Sequence, residues 1–422
     1  MSDTVEKKSK WGKVGTIFIA TLSIVLCATG IAYVRTDIPA AASKYQENLT
    51  MAKGAGAVFS REDALAVRQV PKSENAVYAL QDFIKKIDPL RVDFERNVTS
   101  DNDFLDEWKS VANYLPALLT ASNKKFFMVE NALRYPDDYP SSHPYMLVKW
   151  AKALCWLADI SAKKSDIKTS AELLLAAARL SIMVDHDPDF EAKEARGEMA
   201  EAVDRELSLL ITSHGDEPSW QAVIEQVMTI LESPYDFRPC YKYSHWLTLH
   251  NVQLELGEIR DPKFADRMLG ERFIPRYNKA TMSRVHELYG KMLQQYPTDI
   301  ADYAQIDAIN KELFGRYDNS SMSFQTFYSS LDRYGSYIWE ARVEVAARNA
   351  IIQALAIKKQ RLDPSRGLPI KGRHSEDFDG KPIRIKKLPN GWVVYSIGRD
   401  GKDNGGDESK RYPRDWVVHL TK

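Results

Sequence analysis

Apolar and polar positions follow a helical period through most of this chain. Val77, Leu80, Phe83, Ile84 and Ile87 form one apolar face and predict a helix over Ala76–Ile87. Asp101-Asn102-Asp103 offers capping groups before a helix over Phe104–Leu119, which Pro116 is expected to kink or end. Three prolines make Tyr135–Pro144 a loop. Tyr145–Ala162 carries the widest stripe, with Met146, Trp150, Leu154, Leu157 and Ile160, and Ala171–Val184 is expected to return antiparallel to it. Asp185-His186-Asp187-Pro188 breaks the run, and Ala195–Ile211 and Trp220–Leu231 continue it.

From Ser233 the texture changes. Pro234, Pro239 and the aromatic group Tyr235, Phe237, Tyr241, Tyr243 and Trp246 predict an irregular segment packed on the helices. Helices are then expected over Ser244–Leu256, Thr281–Gln295 and Ile300–Phe314, with a polar break at Asn319–Ser323. A long helix over Tyr337–Lys359 follows, ended by Pro364 and Gly367. No fixed period recurs, so the body reads as an α-hairpin array and not as a formal repeat.

The C-terminal stretch switches to a period of two. Ile383 and Ile385 alternate with Arg384 and Lys386, Asn390-Gly391 signals a hairpin, and Trp392–Ile397 and Trp416–Leu420 supply two further strands. So small a β element is not stable alone and is expected to dock on the long helix before it. The fold class is mainly α, with an N-terminal transmembrane helix, the α-hairpin array and a small C-terminal antiparallel β element.

The transmembrane helix is read from Val14–Val34, an uncharged run that covers roughly 30 Å as a helix. Lys7, Lys8, Lys10 and Lys13 precede it, so the positive-inside rule keeps the N-terminus cytoplasmic and places the body outside. A signal cleaved near Ala40–Ala42 and a lipoprotein signal at Cys27 are the alternatives. Charges at Lys149, Lys152 and Asp159 exclude a second span in Tyr145–Ala162. The expected divisions are a cytoplasmic tail (1–13), the membrane helix (14–34), a stalk (35–72), the helical body (73–335) and a terminal module (336–422).

The 422 residues carry 58 basic and 58 acidic side chains, a balance that gives no sign of a nucleic-acid partner. Cys155 and Cys240, outside the anchor, are either a disulfide or two buried thiols. The basic stretch Lys358–Lys387 is either a solvated linker and sheet face or an attachment to an anionic surface.

Asp377, Phe378, Gly380, Lys381 and Pro382, followed by Tyr395, Ser396, Gly398, Asp400, Gly401, Lys402, Asp403, Gly405 and Gly406, make up a recognisable series. It resembles the C-terminal signature of membrane-anchored proteins of planctomycete-like bacteria. That signature is in turn similar to the end of type II secretion major pseudopilins. The proline usual after the first aspartate is missing here, and the anchor lacks the pilin processing site. In the pseudopilins the loop binds calcium, a cation that takes six to eight oxygen ligands. The resemblance places calcium ligands at Asp400 and Asp415, and Asp403, Asn404, Asp407 and Glu408 are further side-chain oxygens within the loop, so that the candidate metal residues are Asp400, Asp403 and Asp415. The competing reading is a glycine-rich turn whose aspartates cap backbone amides.

Other constellations have ordinary explanations. Asp185-His186-Asp187-x-Asp189 sits between helices, where Asp and His are caps, and His245 and His250 lie on different faces of a helix. Carboxylates such as Glu191, Glu194, Glu198 and Glu201 read as solvated faces, and the aromatic group at Tyr235–Trp246 reads as core or as a groove. Asn97-Val98-Thr99 is a chance sequon. No catalytic motif occurs. The expected role is a non-catalytic binding or scaffold protein of the bacterial envelope, held in the inner membrane by residues 14–34 and meeting a protein partner outside it. An accessory part of a type II secretion or pilus-like assembly, and an envelope enzyme without a recognisable motif, are the alternatives.

Overall fold

In the computed structural model, which describes residues 36, 38–67, 69–80, 100–128, 142–257, 273–295, 325–407 and 415–421, helices dominate and one small sheet closes the chain. The anchor, residues 135–141 of the proline-containing loop, Ile300–Phe314, Asn319–Ser323, Glu408, the sequon and the part of Ala76–Ile87 beyond Leu80 lie outside these residues. Among the described residues no helix is long and apolar enough to cross a membrane. The chain divides into two compact units, Met1–Ser60 with Ser244–Gln295, and Arg61–Tyr243 with Tyr296–Lys422.

In the first unit, α1 (Tyr45–Gly54) packs on a helix over Phe273–Gln295. The stretch expected as a stalk therefore contributes a packed helix. Asn48 donates to the carbonyl and hydroxyl of Ser283 at 3.2 and 3.0 Å. Gly290 allows the close approach: a Cβ there would lie 3.2 Å from the backbone nitrogen of Ala52.

The second unit contains α2 (Arg61–Val67), α3 (Ala76–Ala79), α4 (Asp101–Trp108), α5 (Leu115–Ser122), α6 (Ser142–Lys163), α7 (Ile167–Met183), α8 (Phe190–His214) and α9 (Pro218–Leu231). The next helix, α10 (Arg238–Gly257), begins inside the aromatic segment, earlier than expected. The helix over Phe273–Gln295 is α11, and α12 (Gln325–Gln360) is the long one.

Local chemistry moves several boundaries. Ser100, not the Asp101-Asn102-Asp103 run, caps α4, its hydroxyl accepting from the Asp103 amide at 3.2 Å. The single helix expected over Phe104–Leu119 is two, because Pro116 opens α5 instead of ending α4. At the other end of the chain α12 stops before Pro364. Arg361 turns left-handed (φ 52°) and the Leu362 amide reaches back to the Ile357 carbonyl at 3.0 Å.

Alanines at 176, 177 and 178 bring α7 close to α6 and α8, around Leu154, Leu174, Leu180, Met199, Val203 and Leu207. Cys155 and Cys240 are both buried free thiols. Of the aromatic group, Tyr235, Phe237, Tyr241, Tyr243 and Trp246 are all buried.

The terminal sheet is antiparallel in the order β1 (Arg384–Leu388), β2 (Gly391–Ile397), β3 (Asp415–Thr421). Leu388 pairs with Gly391, so the two-residue turn is Pro389-Asn390, one position before the Asn390-Gly391 pair expected. One face, with Val394, Val418 and Leu420, joins the core against Ala350, Ile351 and Ala354 of α12. The sheet docks on α8 as well: Thr212 donates to the His419 carbonyl at 3.2 Å. Asn349 and Gln353 of α12 hold the connecting segment by donating to the carbonyls of Arg373, Glu376, Ile370 and His374.

Candidate functional site

Helix α8 lies in the middle of the second unit and is the wrong composition for a purely structural helix. Beside Ala195, Met199 and Val203 it buries Lys193, Arg196, Asp204 and Glu206. Buried charge is costly unless paired, so each of these side chains needs an account.

Most of them belong to one ionic chain. Asp185, in the middle of the short turn Val184–His186 before α8, takes Lys193 at 2.7 Å and Arg196 at 2.8 Å. Burial alone would push the Asp185 carboxyl up; the two cations hold it below its ordinary value. The Arg196 guanidinium lies 3.5 Å from the centre of the Tyr235 ring. Tyr235 donates to Glu344 of α12, and Glu344 accepts in turn from Arg348. Arg348 also reaches Asp204 at 3.3 Å and the Leu231 carbonyl at 2.7 Å. Burial pushes Asp204 up to about 7, an effect Arg348 offsets only in part.

Above this chain the protein opens. A groove of about 890 Å³ runs beside α8, bordered by Asp101 of α4 and by Lys152, Trp156, Asp159 and Lys163 of α6. A smaller chamber of about 60 Å³ adjoins it, lined by Asp204, Glu344 and Trp416 among others. Glu194, Glu198, Glu201, Glu340 and Arg399 line both spaces. The three α8 carboxylates stand at positions that share one helix face, so they form a wall and not the solvated surface expected from sequence.

The wall is held by polar contacts. Tyr145 donates to Glu194 at 2.5 Å, Lys152 pairs with Glu198 at 3.4 Å, and Arg205 and Arg399 pair with Glu201 at 2.6 and 3.0 Å. Lys163 pairs with Asp101 and Asp159 at 3.0 and 2.7 Å, and the Trp156 indole donates to Asp101 at 3.0 Å. Glu206 has no such contact. It is 6% exposed, lines the groove, and makes no hydrogen bond or ion pair among the described residues. Burial, reinforced by Asp159, pushes its carboxyl up to about 8.

The metal-candidate aspartates at the C-terminus are placed differently. Asp400 accepts from the Lys402 amide and the Asn404 side chain, both at 3.0 Å. Asp403 pairs with Arg384 at 3.0 Å and caps the Gly405 amide at 2.9 Å. Asp415, fully buried, accepts from the amides of Asn404 and Gly406 at 3.3 and 2.7 Å. Asn404 thus bridges Asp400 and Asp415. Gly406 (φ +76°) lays the loop over Val393 and Tyr395, covering the outer face of the sheet. Among the described residues no group of three or more His, Cys, Asp or Glu side chains is gathered to hold a metal.

The histidine and aspartate sites considered from sequence are structural in their surroundings. Asp189 caps α8 through the Glu191 amide at 3.1 Å, and His186 packs edge-on to Phe126. In the first unit His245 is fully buried. Its Nδ1 meets the Val58 carbonyl at 2.7 Å and its Nε2 meets Nδ1 of His286 at 3.0 Å. Burial pushes both rings down to about 4. Comparison with protein-family models, curated proteins and solved structures finds no match to this chain.

Proposed function

We propose that this chain is a non-catalytic binding protein of the bacterial cell envelope, held in the inner membrane by Val14–Val34 with its body outside, and that the groove beside α8 is its binding site. The uncharged run behind the lysine cluster supports the anchor and its orientation. The observation that carries the site is the row Glu194, Glu198 and Glu201, which lines a space large enough for a ligand above a buried ionic floor. In the same reading the body is an α-hairpin array and the C-terminal module a compact cover docked on it.

The test uses the full-length protein in its native membrane. Wild type is cross-linked beside a charge-reversed variant, Glu198→Lys/Glu201→Lys, checked for folding by circular dichroism. Material recovered with wild type and lost from the variant supports the groove. Equal recovery from both contradicts it. Co-purifying pseudopilins would favour the secretion-assembly alternative, which draws on the C-terminal resemblance alone. Digestion of the body by protease added to intact spheroplasts is the expected orientation result; protection would reverse the orientation.

An envelope enzyme is the second reading. It draws on the raised carboxyls of Asp204 and Glu206, the kind of group that serves as a general acid. Calcium at Asp400, Asp403 and Asp415 is proposed from the resemblance. The metal would take over oxygens that now receive the amides of residues 402–406. A melting temperature raised by calcium in metal-stripped protein, and not raised in Asp400→Asn, would support it.

A further inference from the structure

The groove's cations are already engaged, while the carboxyl group of Glu206 is not. Lys152 pairs with Glu198, Lys163 with Asp101 and Asp159, and Arg205 and Arg399 with Glu201. Glu206, more than nine-tenths buried, lines the same groove with no hydrogen bond or ion pair among the described residues. A protein gains nothing in stability from an isolated buried carboxyl. A cation from outside the chain would supply the counter-charge that lets it ionise.

An inorganic ion fits poorly, because the acidic side chains are spread along the groove and, among the described residues, none gather as a coordination sphere. Helix α6 contributes the Trp156 indole to the groove, stacked on Phe104 with ring centres 4.8 Å apart. A flat aromatic face beside carboxylates suits an organic cation, whose methylene stem lies on the ring while its charged end reaches the acid. The smaller chamber is lined by Asp204 and Trp416, whose Oδ1 and Nε1 have no hydrogen-bond partner among the described residues. It can therefore take a group that both donates and accepts.

We infer that the groove binds an alkylammonium group, with its charge against Glu206 and its stem along Trp156, and that this ligand chemistry is what the α8 wall selects. The inference rests on the groove being the binding site. The ammonium can come from a free polyamine or from lysine side chains of a peptide.

Isothermal titration of the full-length protein in detergent, at about 0.15 M salt so that diffuse charge attraction is screened, tests it with two probes, spermidine and a blocked tetralysine peptide. Wild type is compared with Glu206→Gln and with Glu172→Gln, which removes an exposed charge on α7 away from the groove. The expected result is binding by wild type and by the α7 variant, weakened roughly tenfold or more in Glu206→Gln. Tighter binding of spermidine identifies a free polyamine, and tighter binding of the peptide a basic segment. Binding of neither probe, or equal binding by Glu206→Gln, overturns the inference. If neither binds while the charge-reversed variant still loses material that wild type recovers, the ammonium class falls and the groove stands. If that difference is missing too, both fall.

Discussion

The Asp377 carboxylate accepts the Ser396 hydroxyl at 2.7 Å, and its second oxygen accepts the Ile397 amide at 3.0 Å. This ties the segment before β1 to the end of β2 through a carboxylate only 4% exposed. Arg384 of β1 closes the arrangement by pairing with Asp377, Asp379 and Asp403. Asp377, Ser396 and Asp403 thus tie the sheet together with Arg384. Asp377→Ala removes a buried acceptor and leaves Arg384 and the Ile397 amide without it, so a loss of about 2–4 kcal/mol is expected in denaturant unfolding. Ser396→Ala is expected to cost less, about 1 kcal/mol.

Glu206 makes the opposite prediction. Its folded-state pKa, about 8, lies above the ordinary carboxylate value. The folded protein therefore holds a proton that the unfolded chain releases. That contribution is fully present below the unfolded pKa and is lost as pH rises through 8. Glu206→Gln should consequently raise stability near pH 8, by roughly 1–3 kcal/mol, while weakening ligand binding. Equal melting temperatures for wild type and variant across pH 5–8, a window of about three units, would show that Glu206 is not held in this way.

The His245–His286 pair predicts acid sensitivity of the first unit. Both rings have folded-state pKa values near 4, below the ordinary value for histidine. Their contribution is complete above about 6.5 and is lost as pH falls through 4, because the unfolded chain takes up protons first. Protonating His286 would also place a charge near Lys53, which already lowers that ring. Hydrogen exchange in α1 and α11 should accelerate on going from pH 7 to pH 5, after correction for intrinsic rates. His286→Phe, which keeps a ring among Tyr45 and Phe59, should reduce that acceleration.

Asp415 is expected to matter without any metal. Because it holds the amides of Asn404 and Gly406 from a fully buried position, Asp415→Ala should cost about 1–3 kcal/mol in metal-stripped protein. A variant as stable as wild type without metal, and weaker only when calcium is present, would mean that the carboxylate serves the ion and not the amides.

The terminal sheet was legible in the sequence because its determinants are local: alternation at Ile383–Lys386, a turn at residues 389–391 and an aromatic start to each later strand. The capped turn before α8 was legible for the same reason. The groove was not. Glu194, Glu198 and Glu201 have the spacing of any solvated helix face, and only the placement of α4, α6 and α12 turns that face into a wall. The buried charges of α8 are hidden in the same way, since Arg348 meets Asp204 across 144 residues of sequence. Pro116 misled because a proline near an apolar run can end one helix or begin the next, and its own missing amide suits the first turn.

The groove itself is tested most directly by a photoreactive residue placed within it. Ala202 lines the groove on α8, and Glu172 is exposed on α7. With benzoylphenylalanine at each position in turn, in the full-length protein irradiated in its native membrane, a discrete adduct is expected from position 202. It should be competed by added ligand and absent from position 172. Adducts of equal yield from both positions, or none from 202 in protein shown to be folded, would contradict the assignment of the α8 groove as the binding site.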